Sequence, residues 1–266
     1  MTEAPSQLIR DVADIYDEPG IAWALRSVGT HLHPGSEDTT VALAERAAAF
    51  EFPAGGRVLD VASALGGPAR YLARRLAATV ICVDAGVRMH SAALAAHRAE
   101  GMALRCPLVL ARTERLPLQS GSCDAAWSQD ALCHMHKPAV VQELARVLRP
   151  GALFAFTDWI ARNELPPETR LQLADRWSFP SLLSITEYIR LLDACGFEVL
   201  FAEDRTPIVL ARRLPRPADH EAWESWFAEH YGGDELARQQ APGELWRSLL
   251  ESGQTGYGMF IARRRL

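Results

Sequence analysis

Between Val58 and Leu76 the chain reads VLDVASALGGPARYLARRL, and no other stretch restricts its fold as strongly. Val58-Leu59-Asp60-Val61 is the short apolar run expected of a parallel strand buried on both faces. From Ala62 to Gly67 small residues follow one another, which lets backbone pass close to a ligand. Pro68 suits the first turn of a helix, where its missing N–H costs nothing. Ala69, Leu72, Ala73 and Leu76 then recur at helical spacing, with Arg70, Arg74 and Arg75 expected on the outer side. Strand, small-residue turn and helix in this order build a nucleotide-binding crevice.

The loop also says which nucleotides fit badly. A dinucleotide fold uses Gly-x-Gly-x-x-Gly so that a pyrophosphate can approach the backbone. Here Ala62 and Ala64 hold the first two glycine positions and only Gly66 and Gly67 remain, which argues against a nicotinamide-dependent oxidoreductase. Asp60, inside the strand end, can face a cationic group or fix the loop by accepting backbone N–H bonds. A second acid, Asp84, ends the β-branched run that starts at Thr79, roughly 20 residues past the loop, where a carboxylate can accept both hydroxyls of a ribose. The same residue is placed to cap a helix expected over Val87 to Arg98. A weaker strand, Leu108 to Ala111, precedes Arg112-Thr113-Glu114.

Residues 116–159 carry the second informative pattern. Leu116-Pro117-Leu118 leads to a turn at Ser120-Gly121 and a strand from Ser122 to Trp127. Pro138 opens a helix with Val140, Val141, Leu144, Val147 and Leu148 on one face. Arg149-Pro150-Gly151 is expected to stop it, and Ala152 to Thr157 to form a fifth strand. Taken with Val58-Leu59-Asp60-Val61 and its loop, the succession L-P, C-D-x-x-W and R-V-L-R-P-G resembles the core of the class I S-adenosylmethionine (SAM) methyltransferases over residues 58–159. WSQDALCHMHK and AFTDW are most similar to the sarcosine/dimethylglycine and phosphoethanolamine type of N-methyltransferases.

The resemblance implies an α/β, Rossmann-like fold: a seven-stranded, mostly parallel sheet with helices on both faces and the last strand antiparallel. It implies an N-terminal helical lid over 1–50, a SAM-binding core over 51–160, and cap helices with closing strands over 161–266. SAM is then expected along Asp60, Ala62, Ser63, Ala64, Gly66, Asp84, Ala85, Met89 and Gln129, with Thr113 or Glu114 reading the adenine amine. Arg112 stands where the family usually carries an Asp. Gln129, His134 and Asp158 are the expected catalytic group. His33, His134, Asp158 and Trp159 are expected against a small-molecule acceptor, an amine on the strength of the resemblance. A hydroxyl or carbon acceptor, and a non-catalytic SAM-binding protein of the same fold, are the alternatives.

Composition agrees with one α/β domain carrying a cap. The 266 residues are 48% hydrophobic and 23% charged, ordinary values for a globular chain. A formal charge of -5 without a basic stripe gives no reason to expect nucleic acid. No apolar run is long enough to span a bilayer and no leader pattern opens the chain. The five cysteines are scattered and odd in number, which suggests reduced thiols in a cytoplasmic enzyme, a monomer or homodimer. Cys133-His134-Met135-His136 lacks any zinc spacing, so no metal is expected.

Outside the core, Gln7 to Tyr16 and Thr39 to Phe50 read as helices around the polar turn HLHPGSEDTT at 31–40. In the related enzymes an N-terminal segment with a similar turn closes over the cofactor. Ser184-Ile-Thr-Glu187 is a capping box for a helix ending near Gly196. Phe197 to Ala202 and Tyr257 to Ala262 read as strands. Between them lie helices near Ala218 to His230 and Asp234 to Glu251, rich in large rings that should help exclude water.

Overall fold

The computed structural model describes residues 18–34, 36–211 and 219–266; the expected helix over Gln7 to Tyr16 lies outside them. Two helices, α1 (Glu18–Val28) and α2 (Ser36–Ala48), precede the sheet. The core then alternates β1 (Arg57–Val61), α3 (Gly67–Leu76), β2 (Thr79–Asp84), α4 (Val87–Ala99), β3 (Leu108–Leu110), β4 (Cys123–Gln129), α5 (Lys137–Val147) and β5 (Leu148–Ala161). After it come α6 (Pro167–Trp177), α7 (Ile185–Ala194), β6 (Phe197–Asp204), the short α8 (Thr206–Ala211), α9 (His220–Tyr231), α10 (Gly233–Glu251) and β7 (Thr255–Arg264).

The strands form one sheet in the order β3-β2-β1-β4-β5-β7-β6. β3, β2, β1, β4 and β5 run parallel, as apolar strands joined through helices must. The last strand, β7, enters between β5 and β6 and is antiparallel to both. Strand order reverses beside β1, so the carboxyl ends of β1, β2 and β4 open onto the crevice where such sheets bind ligands.

One face of the sheet packs Leu59, Val61, Phe154 and Phe156 against Val140, Leu144, Tyr188 and Leu192. The other packs Val58, Val80, Ala125 and Trp127 against Leu43, Ala69, Leu72 and Ala73. A third cluster joins Trp159, Tyr257, Trp246 and Phe179 at the cap, where Trp159 stacks on Trp246 with ring centroids 4.0 Å apart. The first and ninth helices also meet: Trp23 of α1 lies 5.2 Å from Trp223 and 5.5 Å from Phe227 of α9.

The structure differs from the sequence reading in four places. Arg70 is not on the outer side of α3 but 2% exposed, because its Nη1 donates to the Leu65 carbonyl at 2.8 Å and its Nε pairs with Glu100 at 2.8 Å. Arg149-Pro150-Gly151 does not end α5, which stops at Val147; these residues begin a long β5, with Leu148 paired to Cys123. That strand also runs past Thr157 to Ala161, because β7 pairs with it as far as Thr255. Gly86, not Asp84, caps α4. The capping box at Ser184 is present with both of its hydrogen bonds.

Candidate active site

The β1–α3 loop shows how alanines replace glycines. Ala62 and Ala64 have φ of 51° and 46°, the left-handed region in which a Cβ is strained. They are held there by neighbours. The Ser63 N–H donates to the Val83 carbonyl at 2.9 Å, and the Ala64 N–H to Asp84 Oδ2 at 2.9 Å. Gly66 and Gly67 are required for closeness. A Cβ on Gly66 would overlap the His97 ring, and one on Gly67 the Thr30 carbonyl and His31 ring. The Gly67 N–H donates to that same Thr30 carbonyl at 3.2 Å, so the segment between α1 and α2 is joined directly to the loop.

One cavity lies over the carboxyl ends of β1, β2 and β4. Ala62, Ala64, Asp84, Ala85 and Met89 line one side of it, and Arg112, Thr113 and Glu114 another. Gln129 and His134 also line it, and Leu32 from the segment between α1 and α2 borders it. Gly86, Asp130, Ala131 and Met135 complete it. Asp84 faces this space with its carboxylate already oriented, since Oδ2 accepts from Ala64 and Oδ1 from the Gly86 N–H at 2.8 Å. Burial pushes its pKa up, against the pull of those N–H groups.

Gln129 is fixed by a network that no single stretch of sequence displays. The Trp127 indole N–H, which can only donate, reaches Gln129 Oε1 at 3.0 Å. The Thr40 hydroxyl donates to the same oxygen at 2.9 Å. Having given its one proton away, Thr40 Oγ1 must accept from His31 Nδ1 and His33 Nε2, each 3.1 Å away. Both histidines are thereby assigned a tautomer by bond counting rather than by observation. Burial lowers the pKa of His31, and lowers that of His33 to about 3 with help from His31, so both are neutral near pH 7. The Gln129 Nε2 amide is left buried and without a partner.

Not every expected residue reaches the cavity. Asp60 is buried beneath the loop, its Oδ2 without a partner and its pKa raised well above the usual range by burial, then by Cys106 and Asp84. Ser63 and Gly66 are buried in the loop, off the lining. His33 stands behind Gln129, one hydroxyl away. Asp158 turns to the other face of the sheet, where Oδ1 accepts the Cys133 N–H at 3.1 Å and Oδ2 the Tyr188 phenol. It thereby anchors the 3-10 turn Leu132–His134 without lining the cavity. Trp159 is packed under the cap. His134 itself meets Phe179 edge-on, centroids 4.6 Å apart. Beside it Asp130 has φ 55°, and its Oδ1 accepts the Thr157 hydroxyl at 3.1 Å.

Comparison with known proteins agrees with this architecture. Residues 59–156 match the family described as "Methyltransferase domain". Methyltransferase GfsG of Streptomyces halstedii is 30% identical over 267 residues, covering 95% of this chain and 94% of that one. The chain belongs to the SAM-dependent methyltransferases. A sarcosine/dimethylglycine N-methyltransferase of Aphanothece halophytica is 29% identical over 156 residues, 58% of this methyltransferase and 56% of the relative, just over half its length. Among solved structures, Haemonchus contortus phosphoethanolamine N-methyltransferase 2, in complex with phosphomonomethylethanolamine and S-adenosylhomocysteine, superposes with a TM-score of 0.83. It is 20% identical, and the match covers 97% of this methyltransferase and 60% of that chain. Among the described residues no helix is long and apolar enough to cross a membrane.

Proposed function

We propose that this methyltransferase moves a methyl group from SAM to the nitrogen of a small amine held beside His134. The observation that carries the reading is one cavity lined by the Asp84 carboxylate, the Ala62–Ala64 turn, the Gln129 amide and the His134 ring. These residues fit the cofactor. Asp84 keeps unused lone pairs for a pair of ribose hydroxyls, and the orphaned Gln129 Nε2 can donate to a carboxylate at the methionine end. Thr113 and Glu114 stand where an adenine amine would be read. When bound, SAM supplies a methyl on a sulfonium whose departure leaves a neutral thioether, so no acid is required.

The remaining demands fall on the chain. It must hold the nucleophile in line, keep water out and leave the acceptor an unprotonated lone pair. The residues around His33 and Leu32 serve as a lid, and Phe179 with the Trp159–Trp246 stack closes the far side. His134, oriented by a turn that Asp158 anchors, is placed to accept the amine proton. The choice of an amine is supported by likeness to the sarcosine/dimethylglycine N-methyltransferase.

The test is transfer of labelled methyl from SAM to a panel of small amines, alcohols and carbon nucleophiles. Amines should be labelled, and His134→Ala should lower kcat by about 100-fold. Labelling of alcohols or carbon acid substrates alone would overturn the amine assignment. SAM binding with no transfer to any acceptor class would favour a non-catalytic role.

A further inference from the structure

Beneath the cofactor loop lies a set of side chains that the proposed transfer does not use. Cys82 in the middle of β2, His97 in the last turn of α4 and Cys106 just before β3 are all buried, at 0%, 0% and 1% exposure. The ligand atoms they offer all lie within 4.8 Å of one another. His97 Nδ1 sits 3.0 Å from the Cys106 carbonyl oxygen, which places the ring proton on Nδ1 and the free lone pair on Nε2. Nε2 is buried and has no hydrogen-bond partner. On the neighbouring strand Asp60 pairs in register with Cys82, and its Oδ2 is likewise buried and unpartnered. A buried lone pair without a partner is costly, and here two such atoms belong to residues that adjoin a pair of thiols.

We infer that Cys82, Cys106 and His97 form a binding site for a thiophilic divalent cation, zinc by its chemistry, with Asp60, beside the cluster but outside it, turning in as the fourth donor. Two sulfurs, an imidazole nitrogen and a carboxylate oxygen are a donor set that tetrahedral zinc accepts. Bonds of about 2.3 Å to sulfur and 2.0–2.1 Å to nitrogen put the donors roughly 3.5–3.8 Å apart, so Cys82, His97 and Cys106 close on the ion by small side-chain movements, and Asp60 by a rotation toward them. A ligating histidine that gives its other N–H to a backbone carbonyl is the usual second-shell arrangement. Arg70, buried beside His97 under Gly66, carries a charge that offsets the surplus negative charge of two thiolates and a carboxylate around a dication. All four donors are closed off from the ligand cavity, so the ion would tie β1, β2, α4 and the approach to β3 together under Gly66. Its role would be to stiffen the floor of the loop, with no part in methyl transfer.

The full-length protein, kept reduced and stripped with a chelator, can be titrated with cobalt(II) alone and then with zinc(II). One equivalent of cobalt should produce a thiolate-to-metal charge-transfer band and the intense visible bands of a tetrahedral ion, and zinc should bleach both. His97→Gln and Cys106→Ser should each weaken the ion by at least about 100-fold, while Cys195→Ser, remote from the cluster, should change nothing. Melting of the metal-free variants against metal-free wild type separates loss of ligand from loss of fold, and the wild-type titration stands whether or not a variant folds. Absence of a charge-transfer band in the reduced wild-type protein would overturn the site. So would equal affinity in His97→Gln, or a mass two hydrogens lighter from a Cys82–Cys106 disulfide that takes up no cobalt.

Discussion

At the scale of single residues, Ala62 and Ala64 carry a cost that the fold absorbs. Each sits at positive φ, where a non-glycine residue loses on the order of 1 kcal/mol. Ala64→Gly should therefore raise stability by about 0.5–1 kcal/mol in urea unfolding and leave SAM affinity equal or better. A destabilised glycine variant would mean that the Cβ packs rather than strains. Asp84→Ala removes the acceptor that orients the loop and faces the cavity; calorimetry should show SAM binding weaker by about 1–3 kcal/mol. An unchanged dissociation constant in a folded variant would take Asp84 out of the site. Asp84 was legible because its position after a β-branched run fixes it at a strand end. Asp158 looked equivalent, but pairing with β7 carries β5 on to Ala161. That leaves Asp158 inside a strand, where alternation turns it to the opposite face. Arg70 was misread because helical spacing cannot foresee that Leu65 and Glu100 would hold its guanidinium in the interior.

At the scale of elements, docking of the segment between α1 and α2 depends on neutral histidines. The pKa of His33 falls from 6.5 to about 3 on docking, so between those values the undocked state binds the extra proton. Docking then weakens as pH drops below about 6.5, by up to about 1.4 kcal/mol per unit; the lowered pKa of His31 acts in the same direction. Above pH 6.5 neither state gains a proton and the effect vanishes. Hydrogen exchange across residues 29–43, corrected for intrinsic rates, should show protection falling from pH 7 to 5.5, and less steeply in His33→Gln. Identical slopes in both proteins would remove His33 as the source. Little of this network could be read in advance. Thr40 and Gln129 stand 89 positions apart, and hydrogen-bond hubs leave no period. The same holds for Cys82, His97 and Cys106, whose spacings match no metal motif. The capping box at Ser184 was readable because its partners are local.

At the scale of the whole molecule, the order of the parallel core followed from alternating strands and helices, which leave few ways to connect. The cap was read only as helices with rings, since aromatic residues specify burial but not direction. The sheet also has a consequence for how the chain is made. Within the sheet β6 pairs with β7 alone, and β7 is synthesised after both of its neighbours, β5 and β6. Until residue 255 leaves the ribosome, β5 presents a long unpaired edge and β6 has no strand to pair with. Bare strand edges of this kind recruit other chains. A chain truncated before Thr255 should therefore aggregate at concentrations where the full chain stays monodisperse in light scattering; a well-behaved truncate would mean the parallel core closes without β7. The same arrangement makes ten-residue β7 a clasp: a pause in translation anywhere before it leaves the β5 edge bare, so the nascent protein needs shielding until β7 has emerged.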